Sequence, residues 1–158
     1  MAFQIIVNLF IAIIWMLLAG SFTFGSLFFG YLIGLFILFV LRRFLEFDFY
    51  IVRVWAIIKL ISLFFVELVK ANIDVLKIVI SPQLTNKPGI VAVRTRLDTK
   101  LEITLLAALI SLTPGTTSMD FSPDGKTIYV HSLHVPDKEE MIEQIRNTFE
   151  RAIMEVTK

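Results

Sequence analysis

From Phe3 to Leu41 the chain carries no charged side chain at all. A soluble domain places charged residues on its surface, so this run constrains the fold more than any other feature. About 20 apolar residues cross a bilayer as a helix, which makes the run too long for one span and sufficient for two. The segment "AGSFTFGS", residues 19–26, interrupts it, with Gly20 and Gly25 flanking small hydroxyl residues. The expected structure is a tight transmembrane hairpin within residues 1–43, with helices over about 3–20 and 25–41. Arg42 and Arg43 close the second helix. An arginine pair at a span end favours the cytoplasmic side, and a hairpin returns to the side on which it began, so both ends are expected there. The start "MAFQIIVNLF" lacks the basic region of a secretory signal. "LLAGS" at 17–21 imitates a cleavage site, but a second apolar run follows at once, and the hairpin is expected to be retained. Ser26, Gly30 and Gly34 repeat at a spacing of four along the second helix, a small-residue stripe that lets another helix approach closely.

Residues 44–80 differ in kind. The stretch is apolar, but Lys59, Glu67, Lys70, Asp74 and Lys77 interrupt it, and at about 100° per residue these five share an arc of roughly 80°. One polar stripe beside a wide apolar face suits a helix lying in the membrane interface. Basic residues flank it on both sides (Arg42, Arg43 and Arg53 before, Lys87, Arg94 and Arg96 after), and a third span would place one basic end outside, against the positive-inside tendency. The interfacial helix is therefore preferred, with a third transmembrane helix as the alternative. Its apolar face, with Trp55, Phe64 and Phe65, is expected to meet lipid. Asp48, Lys59 and Glu67 are ionisable groups near membrane depth, where a functional role is the default hypothesis and anchoring by snorkelling is the plainer one. Lys59, Glu67, Lys70 and Asp74 are the candidate membrane-interface charges.

"SPQLTNKPG", residues 81–89, reads as a linker. Residues 81–158 read as a small soluble α+β domain, expected in the cytoplasm. "IVAVRTR" (90–96) is β-branched and short, a strand. Thr99 and Glu102 have the capping-box spacing and open a helix too short to span a membrane. "TPG" (113–115) ends it. "TTSMDF" (116–121) and "TIYVHSL" (127–133) are strands joined by the turn "SPDGK", in which Gly125 takes the position that needs positive φ. Asp137 and Glu140 start a last helix, whose Ile142, Ile145, Phe149, Ala152 and Val156 form one apolar face. The order is βαββα.

The chemistry that this domain advertises does not survive its context. GKT at 125–127 is the tail of a phosphate loop, but Asp120 stands where the loop needs glycine, and strand follows Lys126 where helix is required. His131 and His134 are the two histidines of the chain. On a strand, positions three apart point to opposite faces. Ser111, Ser118 and Ser132 fit no nucleophile elbow. There is no cysteine, which excludes disulfides and thiolate sites, and the net charge of +1 argues against nucleic acid as a partner. No catalytic, cofactor or metal residue is assigned, and no enzyme is expected.

The hydrophobic first half, "LEITLLAALISLTPGT" at 101–116 and "DGKTIYVHSLHV" at 124–135 together resemble the E subunit of the bacterial Mrp/Mnh-type multisubunit cation/proton antiporters. The resemblance runs over nearly the whole chain. It implies a bacterial cell-membrane complex that exchanges cytoplasmic Na+ for external H+, with other hydrophobic subunits and membrane lipid as partners. It also implies an accessory role in assembly and activity, with the ion path carried by larger subunits. The competing hypothesis is a membrane-anchored ligand-binding regulatory domain independent of any transporter.

Overall fold

A computed structural model describes residues 2–45, 50–82 and 86–157. Asp48 lies outside the described residues, as does part of the 81–89 linker. The chain divides into two units, Met1–Val54 and Trp55–Lys158.

The first unit is a helical hairpin followed by the start of a third helix. Helix α1 (Ala2–Leu18) and helix α2 (Phe24–Leu45) are joined through Gly20, whose φ of 60° is one that side-chain-bearing residues rarely adopt. Phe24–Leu41 is long and apolar enough to cross a membrane, and Phe3–Leu18 is a shorter apolar helix. The exterior of the hairpin is greasy: Phe3, Phe10, Phe24 and Phe36 are largely exposed. Gly30 and Gly34 explain how its two helices approach. A β-carbon at Gly30 would lie 2.9 Å from the Ala12 Cα and carbonyl oxygen, and one at Gly34 would overlap Asn8 Oδ1. The small-residue stripe thus faces α1 of the same chain. Ser26 begins that stripe in the first turn of α2, its amide donating to Thr23 Oγ1 at 3.2 Å.

Helix α3 (Tyr50–Ile80) runs for 31 residues and passes from the first unit into the second. The sequence pattern marks 44–80 as a segment by itself, yet from Trp55 onward the helix belongs with the α/β part of the chain. The difference has a packing cause: Leu60 is buried in the core of the second unit, with Leu63 and Phe64 packed against that core.

The rest of the second unit is a three-stranded antiparallel sheet with helices. Strands β1 (Gly89–Arg94), β2 (Thr116–Phe121) and β3 (Thr127–Ser132) lie in the order β1-β3-β2, with β3 central. A register shift between Ser118 and Asp120 marks a bulge in β2. Helix α4 (Lys100–Leu112) connects β1 to β2, and a C-terminal helix comprises α5 (Lys138–Ile145), a π-helical turn (Arg146–Glu150) and α6 (Arg151–Thr157). Val93, Leu106, Ile128, Val130 and Ile153 are fully buried between them.

The ends of these elements follow the residues that cap them. Thr99 accepts from the Glu102 amide while Glu102 takes the Thr99 amide in return, the reciprocal pair expected of a capping box. The Asp137 side chain accepts from the amides of Glu139 and Glu140 to start α5. Gly125 has φ 69° in the β2–β3 turn, and its amide donates to the Ser122 carbonyl at 2.8 Å.

Candidate functional site

The apparent phosphate-loop residues are structural. The Lys126 ammonium donates to the Leu97 carbonyl at 2.9 Å and meets Asp98 at 3.2 Å, so it clamps the turn that precedes α4. The same turn is held by two buried glutamates. Glu150, in the π-helical turn, accepts from the Arg96 amide at 2.8 Å. Glu102 accepts from the amides of Asp98 and Thr99 at 3.2 and 2.9 Å. Hydrogen bonds from the Thr157 side chain, and then from the Thr99 backbone, pull the Glu102 carboxyl from its ordinary 4.5 down to about 2. His131 lies in β3 opposite Ile90 and Thr117. His134 lies beyond the strand, where its Nδ1 accepts from the Lys87 amide at 3.2 Å. Among the described residues no group of three or more His, Asp or Glu could hold a metal ion.

The "TPGT" turn is also joinery. The hydroxyls of Thr113 and Thr116 both donate to the Ile110 carbonyl at 2.7 Å, closing α4. The Gly115 carbonyl accepts from the Leu133 amide at 2.9 Å. Gly115 itself has φ 89°, and a β-carbon there would lie 3.1 Å from Val75 of α3. The backbone angle calls for glycine at this position, and α3 approaches it closely.

Helix α3 carries the candidate charges and has two faces. Leu60, Leu63, Phe64 and Glu67 turn towards the domain. Trp55, Ile58, Phe65, Val69, Ile73 and Leu76 are exposed, on the opposite side of the helix at 100° per residue. Phe64, expected with Trp55 and Phe65 on the lipid-facing side, packs instead against the core of the domain. The charges run along one seam between these faces, and all five are paired. Lys70 reaches Glu67 and Lys77 reaches Asp74, both at 2.8 Å, and Lys59 lies 3.9 Å from Glu155 of α6. Glu67 is the most enclosed of the five, its side chain 12% exposed. Lys70 thus pairs with Glu67 and Asp74 with Lys77, both at i,i+3 spacing.

The hairpin also holds a polar knot that sequence reasoning missed. Asn8, fully buried, donates through Nδ2 to the Tyr50 hydroxyl at 2.9 Å. The Tyr50 and Tyr31 hydroxyls are 2.8 Å apart, and the Tyr50 amide donates to Gln4 Oε1 at 2.9 Å. Asn8 Oδ1 has no hydrogen-bond partner among the described residues. It occupies the direction in which a β-carbon would project from Gly34, the geometry of a weak Cα–H···O contact. Buried polar groups need hydrogen-bond partners within the protein, and here they fix the start of α3 on the hairpin. The sequence does carry a signal: Gln4 and Asn8, four residues apart, form a polar edge on an otherwise apolar helix.

An apolar hairpin with one helix long enough to cross a membrane, followed by an α/β domain in which Lys126, His134 and the Thr113–Thr116 turn bond to the chain's own backbone, is the build of a membrane-associated subunit. A family model described as "Na+/H+ ion antiporter subunit" matches residues 8–156, and the chain belongs to this family as an E-type subunit of the Mrp/Mnh antiporters. It is 65% identical over 158 residues to the E subunit of the Na(+)/H(+) antiporter of Alkalihalophilus pseudofirmus, covering 100% of both chains. It is 45% identical over 158 residues to the corresponding E subunit of Bacillus subtilis, again covering 100% of both. Among solved structures, a chain of the membrane-bound sulfane sulfur reductase, an archaeal respiratory membrane complex, is similar with a TM-score of 0.56 and 28% identity, over 95% of this chain and 96% of that one. Membership of an antiporter family removes the reading of a regulatory domain independent of any transporter.

Proposed function

We propose that the chain is an accessory subunit, which supports assembly and activity of an antiporter exchanging cytoplasmic Na+ for external H+ and leaves the ion path to its neighbours. The observation that carries this reading is the fate of the charges on α3. Lys59, Glu67, Lys70, Asp74 and Lys77 each pair with a side chain of the same unit, and Leu60 ties the helix to the α/β core. Two of these pairs run along α3 itself and the third reaches α6, so the charges are satisfied within the unit, as an accessory helix requires.

In this reading the hairpin crosses the membrane twice and α3 lies in the interface, with its Trp55–Phe65–Leu76 side towards lipid and the α/β domain in the cytoplasm. The continuous exposed apolar face opposite the domain supports this placement. Packing of the other face against Leu106 and its neighbours is difficult to reconcile with a third span, because a spanning helix has lipid or another membrane helix on every side.

Two measurements test the reading. Single alanine substitutions at Lys59, Glu67, Lys70 and Asp74 should leave antiport within a few-fold of the parent once complex abundance is matched. A loss of about two orders of magnitude, the scale of removing a general acid or base, would assign that residue to the ion path. Asp124→Cys, at the exposed β2–β3 turn, should resist membrane-impermeant thiol reagents in intact cells, and ready labelling would place the domain outside.

A further inference from the structure

The β1–β3 ladder ends where an imidazole takes over from the backbone. Gly89 and Ser132 are the outermost register partners at that end. Two residues further out on each chain, Lys87 stands opposite His134. Antiparallel strands exchange backbone bonds at every second position, in the phase set here by the Thr95 amide and the Lys126 carbonyl at 2.9 Å. Continued in that phase, the ladder would give the Lys87 amide the His134 carbonyl as acceptor. That carbonyl instead accepts from the Ser132 hydroxyl at 3.1 Å, and the His134 amide donates to the same hydroxyl oxygen at 3.4 Å. The Lys87 amide donates to His134 Nδ1 at 3.2 Å. The Lys87 carbonyl accepts from the Val135 amide at 2.8 Å, and Asn86 Nδ2 donates to the Leu133 carbonyl at 3.4 Å. These bonds clip residues 86–87, on the path from α3 into β1, to the end of β3.

The clip requires one state of His134. An imidazole nitrogen accepts a hydrogen bond only when it carries no proton, so Nδ1 holds the lone pair and Nε2 the hydrogen. Among ordinary side chains, imidazole alone changes charge between about pH 5 and 8. A proton on Nδ1 sets N–H against N–H at Lys87. The remaining bonds of the clip use backbone groups, a hydroxyl and a carboxamide, none of which titrates there. The ionisable groups around the ring come from three elements. From α3, Asp74 and Lys77 line the cavity that His134 also lines, and they pair with each other at 2.8 Å. From the start of α5, Asp137 and Glu140 line it too. Asp137 is engaged with the amides of Glu139 and Glu140. Glu140 is exposed and takes part in none of the ion pairs among the described residues. The segment before β1 contributes Lys87, which is exposed. A protonated ring therefore gives up the Lys87 amide and has the Glu140 carboxylate on the wall of the same cavity.

We infer that His134 is a proton-operated clip. Neutral, it holds the segment entering β1 against the end of β3. Protonated, it releases the Lys87 amide and loosens that junction. Order at the passage from α3 to the sheet then follows the pH of the compartment that the domain faces. The inference stands on whichever side of the membrane the domain lies, and so does not depend on the accessory reading above.

The test is hydrogen exchange on the complete complex, read on a peptide that contains Lys87. The parent, His134→Asn and His134→Ala are compared at matched pH, so that the intrinsic pH dependence of exchange cancels. Asparagine offers Oδ1 near the position of Nδ1 and accepts without titrating, whereas alanine removes the acceptor. At about pH 8, above the range in which imidazole is charged, the parent and His134→Asn should protect the peptide equally. His134→Ala should exchange about three- to tenfold faster there, the effect of one hydrogen bond. At about pH 5.5, with the imidazole charged, the parent should exchange like His134→Ala while His134→Asn keeps its protection. Parent and His134→Asn moving together between the two pH values overturns the inference. Should asparagine fail to hold the clip even at the higher pH, the parent and His134→Ala decide between them. A difference confined to the higher pH supports the clip, and one of equal size at both, or none at either, overturns it.

Discussion

The hairpin and the α/β domain solve opposite problems. The domain withdraws its apolar side chains from solvent: Val93, Leu106, Ile128, Val130 and Ile153 have essentially no exposed surface. The hairpin presents its apolar side chains outward, with Phe24 at 83% exposed, and buries a polar residue, Asn8. Water holds the domain together through the hydrophobic effect. In lipid, where the proposed reading places the hairpin, that driving force between helices is absent, and close glycine packing and internal hydrogen bonds take over. Helix α3 belongs to both regimes, with one face in the domain's core and the other exposed and apolar.

Substitutions that act in one regime alone can break this contrast. The largest effect is expected for Leu106→Ala, which empties a fully buried site and should cost the domain about 2–5 kcal/mol. Hydrogen exchange on the purified protein should then show faster opening of α4 and β3 with α1 and α2 unchanged. Equal loss of protection in the hairpin would show that the two units unfold as one. Gly30→Leu is the reciprocal probe. Its side chain meets α1 backbone at 2.9 Å, which neither helix can accommodate without separating, and overpacking of this kind costs about 1–3 kcal/mol. Protection should fall in α1 and α2 while β3 is unchanged.

The pH response sharpens the same contrast, because the capping-box carboxylate lies in the domain. Glu102 has its folded value lowered from 4.5 to about 2. Its stabilisation is therefore complete above about 4.5 and is lost as pH falls towards 2. The melting temperature of the domain should fall across that window, and Glu102→Gln should flatten the response there. An unchanged slope would show that the carboxylate is not engaged as its hydrogen bonds indicate. The smallest effect belongs to Lys70→Ala. The pair with Glu67 is of i,i+3 type with the lysine exposed, so the expected loss is about 0.2–0.5 kcal/mol, seen as a barely shifted melting curve. A loss several times larger would mean that Lys70 has a partner beyond Glu67.

What can be read from the sequence divides along the same line. Strands, caps and turns of the domain depend on local chemistry, so Thr99–Glu102, Gly125 and the alternation in β1 and β3 are legible. The absence of charge between Phe3 and Leu41 is enough to expect a hairpin. Three features are not legible because they depend on what a segment packs against. Gly30 and Gly34 are visible as a close-packing stripe, but which helix they meet is a tertiary fact, and it is α1. Phe64 and Phe65 are adjacent and equally apolar, and only the position of the core decides that Phe64 turns inward. The π-helical turn at Arg146–Glu150 shifts the register of a helix whose apolar face reads as regular, and brings Glu150 to the turn before α4. The resemblance identifies the family, while the paired state of the α3 charges comes from the structure.

The central claim is that this subunit acts through assembly. The most direct test is antiport in membrane vesicles, normalised to the amount of assembled complex, across variants that weaken the chain to different degrees, from Lys70→Ala through Gly30→Leu. The account predicts that assembled complex falls along the series while antiport per complex stays constant within a few-fold. A variant that assembles at the parental level yet loses antiport by about two orders of magnitude would contradict it.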